Sequence, residues 1–159
     1  MGPDLEKGIH EISLRMRLLR AMQQEKSYLE DLTERDERIL GLLAERGRMT
    51  VSQIAAAEPN VSSSTISTGI TRLWRDKKML SKTVSPENQR TTIVELTEKG
   101  KQTVELINKQ RAERFQLLFD AIKVTDDEKE VLIEVLNRAI AFFDKHLGLN
   151  KKRKANLTD

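Results

Sequence analysis

The sequence predicts a mainly α-helical α+β fold, a winged helix-turn-helix with a small β-hairpin wing and long helices from both termini. Apolar residues recur at three- and four-residue spacing over most of the 159 residues, which is typical of amphipathic helices. This spacing gives way to β-branched runs only near residues 80–96. Seven glycines, three prolines and 4% aromatic residues also favour a helical, soluble chain of roughly one domain.

The first helix is predicted over residues 5–30. Ile9, Ile12 and Met16 lie at helical spacing, and further leucines widen this apolar stripe. So wide an apolar face indicates burial on more than one side, including against a second chain.

Three Ser or Thr caps divide the next stretch into helices. Thr33 opens a helix that Gly47 closes, Thr50 opens a short helix, and Ser62 opens a third that runs to about Lys77. A Pro-Asn turn separates the helix that begins after Thr50 from the helix that begins after Ser62, and this order favours a helix-turn-helix.

A β-hairpin is predicted after the third helix. Residues 80–84 and 91–96 are the two strands, joined by a polar turn at 85–90. Two short helices followed by such a hairpin are the order of elements in a winged helix-turn-helix.

Two long helices follow the hairpin. The first is predicted from Glu98 to about Lys123, and the second, opened by a capping box at Thr125, reaches about Leu147. The predicted organisation is a discontinuous dimerisation region of residues 1–30 and 98–148, a winged lobe of residues 31–97, and a basic, mobile tail of residues 149–159.

Several chemistries are excluded by composition. The chain has no cysteine and only two histidines, so thiol chemistry and a histidine-rich metal site are not expected. There is no phosphate-binding glycine loop, metal-binding His-Glu pattern or nucleophile motif, so we expect neither enzymatic activity nor a cofactor. No apolar run is long enough for a membrane span and the first residues lack a secretion signal, which predicts a cytoplasmic protein without a membrane partner.

Basic residues cluster in the middle of the chain. The net charge is only +3, yet between residues 60 and 94 six basic residues stand against two acidic ones. A local basic patch on a nearly neutral protein favours nucleic-acid binding at a defined site. On charge alone, the alternative is an ordinary solvated surface.

The helix that follows Ser62 separates into two faces at about 100° per residue. Ile66, Ile70 and Leu73 fall on one edge, which is the predicted buried side. The opposite crest carries short hydroxyl side chains and then a cation, namely Ser64, Thr68, Thr71 and Arg75. Serine and threonine are poor helix formers, so many of them on one helix favour a functional reason, the insertion of short side chains into a DNA major groove.

The predicted DNA-contacting residues come from the short second helix, the third helix and the wing. Hydroxyl and amide groups can bond base edges, and cations can bind phosphates. The residues are Thr50, Ser52, Ser62, Ser64, Thr65, Ser67, Thr68, Thr71, Arg72, Arg75, Lys82, Asn88, Gln89 and Arg90. The sequence identifies no metal ligand and no effector-binding residue.

Three stretches resemble the MarR-type winged-helix transcription regulators. They are LTERDERILGLLAERGRMTVSQIA at 32–55, SSSTISTGITRLW at 62–74 and SPENQRTTIVELTEKG at 85–100, within a resemblance that spans roughly residues 5–147. Arg90 matches the wing arginine of that family, which commonly reaches the minor groove. Asn88 replaces the usual aspartate, Gln89 replaces a frequent second arginine, and the usual glycine before the first strand is missing. These departures predict a weaker wing contact.

The resemblance implies a homodimer that binds a pseudo-palindromic site in double-stranded DNA as a sequence-specific regulator. It further implies repression that is relieved by a small aromatic or anionic effector. The wide apolar faces of the terminal helices agree independently with a dimer. Asn88 and Gln89 leave open an alternative, a winged-helix module that binds a protein rather than specific DNA. An exposed basic crest favours DNA, whereas an exposed apolar patch on the lobe favours a protein partner.

Overall fold

Six helices and one three-stranded antiparallel sheet make up residues 3–23 and 31–147, the part of the chain that the computed structural model describes. The elements are α1 (Pro3–Gln23), α2 (Glu34–Arg46), β1 (Met49–Thr50), α3 (Val51–Ala56), α4 (Ser63–Arg75), β2 (Leu80–Val84), β3 (Thr92–Leu96), α5 (Glu98–Ala121) and α6 (Asp126–Leu147). The predicted fold class, mainly helical α+β with a small wing, is confirmed. None of these helices has both the length and the hydropathy that a membrane crossing needs.

The wing is a β-hairpin with one additional short strand. Strands β2 and β3 pair antiparallel, with Leu80 opposite Leu96 at one end and Val84 opposite Thr92 at the other. Strand β1 pairs with the other edge of β3, so the sheet order is β1-β3-β2. Strand β1 is not predicted from the sequence, because two residues are too few to show a periodic pattern.

Two helices end slightly earlier than predicted. Helix α4 ends at Arg75 rather than near Lys77, and Lys78 then has a φ of 58°, which a continuing helix does not allow. Helix α5 ends at Ala121 rather than near Lys123, which has a φ of 56°. In both cases a lysine in the left-handed region turns the chain away from the helix axis.

Two predictions concern residues that the structure does not describe. Of the helix predicted over residues 5–30, residues 24–30 lie outside the described ranges, and α1 extends over Pro3–Gln23. The tail predicted for residues 149–159 also lies outside them. The division into a winged lobe and a dimerisation region stays a prediction.

Threonine caps begin helices α2, α3 and α6, as predicted. At α2, the Thr33 hydroxyl accepts a hydrogen bond from the Asp36 backbone N–H (3.2 Å), and the Asp36 carboxylate accepts one from the Thr33 backbone N–H (2.8 Å). The same reciprocal pairing begins α3 at Thr50. At α6, a backbone hydrogen bond from Thr125 holds the pKa of Glu128 below its usual value. These caps satisfy N–H groups that a helix start leaves unpaired.

The hydrophobic core lies between α2, α3, α4 and the sheet. Its fully buried apolar side chains are Ile39, Leu40, Leu43, Ile54, Ile66, Ile70, Leu73, Leu80 and Val94. Helix α5 adds Val104 and Ile107. By contrast, α6 buries none of its residues within the protomer. The core therefore supports the winged lobe and includes no residue of α6.

Gly100 occupies a tight junction between α5 and the loop that precedes the wing. The Thr97 hydroxyl accepts a hydrogen bond from the Gly100 N–H (3.2 Å) and donates one to the Lys78 carbonyl (2.7 Å). The Met79 carbonyl accepts a hydrogen bond from the Thr97 N–H (3.0 Å). A Cβ atom on Gly100 would overlap the Met79 carbonyl oxygen. Only glycine therefore fits at this junction without a backbone shift.

Candidate nucleic-acid interface

Helix α4 buries the edge that its sequence predicts. The side chains of Ile66, Ile70 and Leu73 are fully buried. Gly69 faces α2, where a Cβ atom would come within 3.4 Å of the Ile39 side chain. The close packing of α4 on α2 leaves the opposite face of α4 at the surface.

Short hydroxyl side chains line the exposed face of α4. Ser62 caps the helix, and its Oγ atom lies 2.7 Å from Thr65 Oγ1 and 3.0 Å from Ser64 Oγ. The Thr68 hydroxyl donates a hydrogen bond to the Ser64 carbonyl (2.9 Å). This bond uses the hydroxyl hydrogen of Thr68 and leaves its oxygen as an acceptor. Such an acceptor suits the amino group of adenine or cytosine, and the threonine methyl suits the methyl of thymine.

A tryptophan joins the end of α4 to the wing. Lys82 Nζ, on β2, lies 4.7 Å from the centroid of the Trp74 ring, and Arg75 Cζ lies 5.2 Å from it. Lys82 also donates a hydrogen bond to Thr71 Oγ1 (3.2 Å). Burial and, secondly, the nearby Arg75 charge lower the pKa of Lys82 below its usual value. Two cations are therefore held side by side on one aromatic ring.

Trp74 is not among the site residues that are predicted from the sequence. An aromatic residue in the last turn of a helix is most often part of the core, and Trp74, half-buried, does pack against it. The available signal was its neighbour Arg75, because a cation beside an exposed aromatic face often stacks on it.

Asn88 holds the turn at the tip of the wing. Its side-chain oxygen accepts a hydrogen bond from the Arg90 backbone N–H (3.0 Å), and its carbonyl accepts one from the Thr91 N–H (2.8 Å). Gln89 and Arg90 are exposed. Across residues 31–147, no carboxylate lies within ion-pair distance of the Arg90 side chain. Asn88 therefore shapes the turn, and Arg90 is available to an external anion.

Arg72, one of the predicted DNA contacts, forms an ion pair with α2 instead of lying free at the surface. Its guanidinium donates hydrogen bonds to the Asp36 carboxylate of α2 and, at 3.3 Å, to the Thr33 hydroxyl. Asp36 is only 1% exposed. This ion pair between α2 and α4 is not predicted from the sequence.

The predicted residues are brought together in part. The α4 hydroxyls, Arg75 and Lys82 form one continuous surface, because Lys82 contacts both Thr71 and Trp74. The Thr50 hydroxyl is used in the cap of α3, and Ser52 is exposed in the first turn of that helix. In the part of the chain that the structure describes, no group of histidine and carboxylate side chains could hold a metal ion.

This combination of a helix pair, an exposed third helix and a hairpin defines a winged helix-turn-helix. No protein-family model and no curated protein matches the sequence. In contrast, 158 chains of solved structures match the fold.

Three of these matches identify the type of winged helix. Wild-type MarR from E. coli, in its apo form, has a TM-score of 0.69 and 20% identity over 87% of this chain and 97% of that chain. FabT of Streptococcus pneumoniae in complex with DNA has a TM-score of 0.64 and 18% identity, over 89% of this chain and 96% of that chain. The transcriptional regulator PcaV of Streptomyces coelicolor, in complex with its natural ligand, has a TM-score of 0.58 and 18% identity, over 89% and 97%. The chain therefore has a MarR-type winged-helix fold, as its motifs suggested.

Proposed function

We propose that this protein is a sequence-specific DNA-binding transcription regulator that acts as a homodimer. The observation that carries the proposal is the exposed face of α4, where short hydroxyl side chains lie beside the cations Arg75 and Lys82. Short side chains let a helix approach base edges in the major groove. FabT, which shares the fold, was solved in complex with DNA.

The cations divide into two groups around α4. Arg75 and Lys82 lie at the end of the helix and beside the wing, where a duplex in contact with α4 would present its phosphates. Arg90 lies at the tip of the wing and has no acidic partner among the described residues. We assign Arg90 to the backbone or the minor groove beside the α4 contact. Affinity then comes mainly from these cations, and specificity comes from the α4 hydroxyls.

The apolar faces outside the winged lobe support a dimer. Helix α6 exposes a stripe at three- and four-residue spacing that consists of Leu132, Leu136, Ile140, Phe143 and Leu147. Helix α1 likewise exposes Ile9 and Ile12. Monomers rarely expose a continuous apolar surface of this extent. A second copy would bury both helices and place two α4 helices about 34 Å apart, which fits a pseudo-palindromic operator.

We further propose that the regulator is a repressor that an aromatic or other apolar anion releases from DNA. A cavity of about 640 Å³ lies between α1 and α5. Its wall is largely apolar and includes Met16, Phe115 and Leu118, and the arginines Arg17 and Arg111 also line it. Apolar walls with a few cations suit a ligand that combines a ring with a carboxylate. PcaV, which shares the fold, was solved with its natural ligand.

The proposed function is tested by selection from a pool of random-sequence duplexes, followed by binding titrations with the enriched duplex. We expect the wild-type protein to prefer the enriched duplex over random DNA by at least about a thousandfold. The enriched site should be pseudo-palindromic, because operator symmetry mirrors that of a dimer. Equal binding of both duplexes would contradict the proposal and favour the protein-interaction module instead.

Two single variants are expected to separate affinity from specificity. Arg90→Ala should weaken binding to every duplex and reduce the slope of log Kd against log salt by about 0.9, the value of one lost phosphate contact. Thr68→Ala should leave the slope unchanged and reduce discrimination at one base position by about 1–3 kcal/mol. Fluorescence anisotropy at several salt concentrations measures both effects. The control is Lys109→Ala, which removes an exposed cation from α5, away from the wing. It should change neither the salt slope nor the base preference. A Thr68→Ala protein with unaltered base preference would contradict the assignment of α4.

DNA affinity is expected to decline at alkaline pH because of Lys82. Its pKa is lowered, so the amine loses its proton at a lower pH than an ordinary lysine does. A neutral amine cannot neutralise a phosphate, and the loss should reach about fivefold at ~0.15 M salt. Lys82→Arg keeps the charge throughout and should remove the decline. Titrations from about pH 7 to about pH 10 at constant ionic strength make the comparison, and identical profiles for both proteins would contradict this role of Lys82.

A further inference from the structure

We propose that Asp36 is a positioning residue for α4, and that Arg72 is its partner rather than a phosphate contact. The inference rests on the proposed DNA-binding function. It concerns what fixes the orientation of α4, the helix that we propose contacts base edges. It changes the role of Arg72, which the sequence pattern placed among the DNA contacts.

The Asp36 carboxylate links the first turn of α2 to the last turn of α4. Its Oδ2 atom accepts hydrogen bonds from the Thr33 backbone N–H (2.8 Å), the Thr33 hydroxyl (2.9 Å) and the Arg72 guanidinium. Its Oδ1 atom is buried and has no hydrogen-bond partner among the described residues. Within the described chain, Arg72 is thus the one cation that forms an ion pair with this carboxylate.

The link lies beside the close contact between Gly69 of α4 and Ile39 of α2. A cavity of about 460 Å³, open to solvent, lies between the start of α2 and α4, and both members of the ion pair line it. The same cavity is lined by Ser64, Thr65 and Thr68, the hydroxyl residues of the exposed face. On this side of α4, the Asp36–Arg72 pair adds a polar restraint on rotation of the helix to the apolar packing of α4 on α2. A rotation of α4 would displace the hydroxyl groups that we assign to base contacts.

Burial decides which partner Arg72 keeps in a DNA complex. The Asp36 side chain is 1% exposed, whereas that of Arg72 is 36% exposed. A buried carboxylate that loses its cation is strongly destabilising, while a phosphate at the surface remains solvated by water and counterions. Transfer of Arg72 from Asp36 to a phosphate is therefore unfavourable, and we expect the pair to persist when DNA binds.

The charge-neutralising variant Asp36→Asn distinguishes two roles of Asp36. In one role, only its negative charge affects DNA binding; in the other, it positions α4. If charge alone mattered, loss of a negative charge beside the interface would tighten binding to every duplex. If Asp36 positions α4, binding to the enriched duplex should weaken by about tenfold, the value of one charge-assisted hydrogen bond, while binding to random DNA is not weakened. A folded variant that loses its preference for the enriched duplex over random DNA is a result that a purely structural role of Asp36 would not produce.

Arg72→Gln supplies the second measurement and does not depend on the folding of the Asp36 variant. It should weaken binding to the enriched duplex by about tenfold and leave the slope of log Kd against log salt unchanged. The matched control is Arg75→Gln, because Arg75 is exposed on the same helix and should contact phosphate; its slope should fall by about 0.9. The double variant Asp36→Asn, Arg72→Gln should bind no more weakly than either single variant.

Each outcome has a separate meaning. All titrations are performed at a temperature below the unfolding midpoint that circular dichroism gives for each variant. An Arg72→Gln slope that falls as much as that of Arg75→Gln, or an Asp36→Asn protein that binds the enriched duplex more tightly, would overturn the positioning role. A wild-type protein that prefers no duplex would instead contradict the proposed function, and this inference with it.

Discussion

The variant Leu136→Asp is expected to be monomeric and to bind the enriched duplex at least about a hundredfold more weakly than the wild type. Leu136 is 51% exposed in the protomer and lies in the middle of the apolar stripe of α6. In the proposed dimer, an aspartate here would place an unpaired carboxylate in an apolar contact, which is costly. A monomer binds only one half of the operator and loses the effective concentration that links the two halves.

The control for this variant is Ala141→Asp, which introduces the same charge into the same helix. Residue 141 lies about 140° around α6 from Leu136, away from the apolar stripe. We expect Ala141→Asp to stay dimeric and to bind DNA normally. Sedimentation velocity and anisotropy measure the two properties. A wild-type protein that is monomeric at assay concentrations, or a dimeric Leu136→Asp protein with normal affinity, would refute the dimer.

Gly100→Ala is expected to lower the free energy of unfolding by about 3 kcal/mol, in the upper part of the range for overpacking. The new methyl group would overlap the Met79 carbonyl oxygen, so either the start of α5 or the loop before β2 must move. That movement also disturbs the hydrogen bond from Thr97 to the same carbonyl (3.0 Å). Urea unfolding followed by circular dichroism measures the change.

Gly41→Ala is the matched control for Gly100→Ala. Gly41 lies inside α2, and a Cβ atom there would meet nothing within 4 Å. Because alanine favours a helix over glycine, this variant should gain about 0.5–1 kcal/mol in the free energy of unfolding. Equal effects at both positions would show that helix propensity, rather than the contact with Met79, determines the result at Gly100.

The two faces of α4 could be predicted from the sequence because they depend only on residues within one helix. The period of Ile66, Ile70 and Leu73 identifies the buried edge, and Ser62 marks the start of the helix. The capping boxes of α2 and α3 are equally local, since both partners lie within four consecutive residues. For these features, the pattern and the structure agree.

The contacts between elements could not be predicted in this way. Arg72 lies on the flank of α4 between the buried edge and the crest, so its angle on the helix does not decide between DNA and α2. Its partner Asp36 is 36 residues away in the chain. The contact of Lys82 with Trp74 likewise joins a strand to a helix, and only the packing of the two elements brings the side chains together.

The position of Trp74 has a practical consequence. It is the single tryptophan of the chain, and its indole ring lies against two cations that we assign to phosphate binding. Indole emission responds to nearby charge, so the withdrawal of either cation toward a duplex alters the fluorescence spectrum. The protein thus carries a built-in optical reporter of occupancy, and binding can be followed without attaching a dye to either molecule.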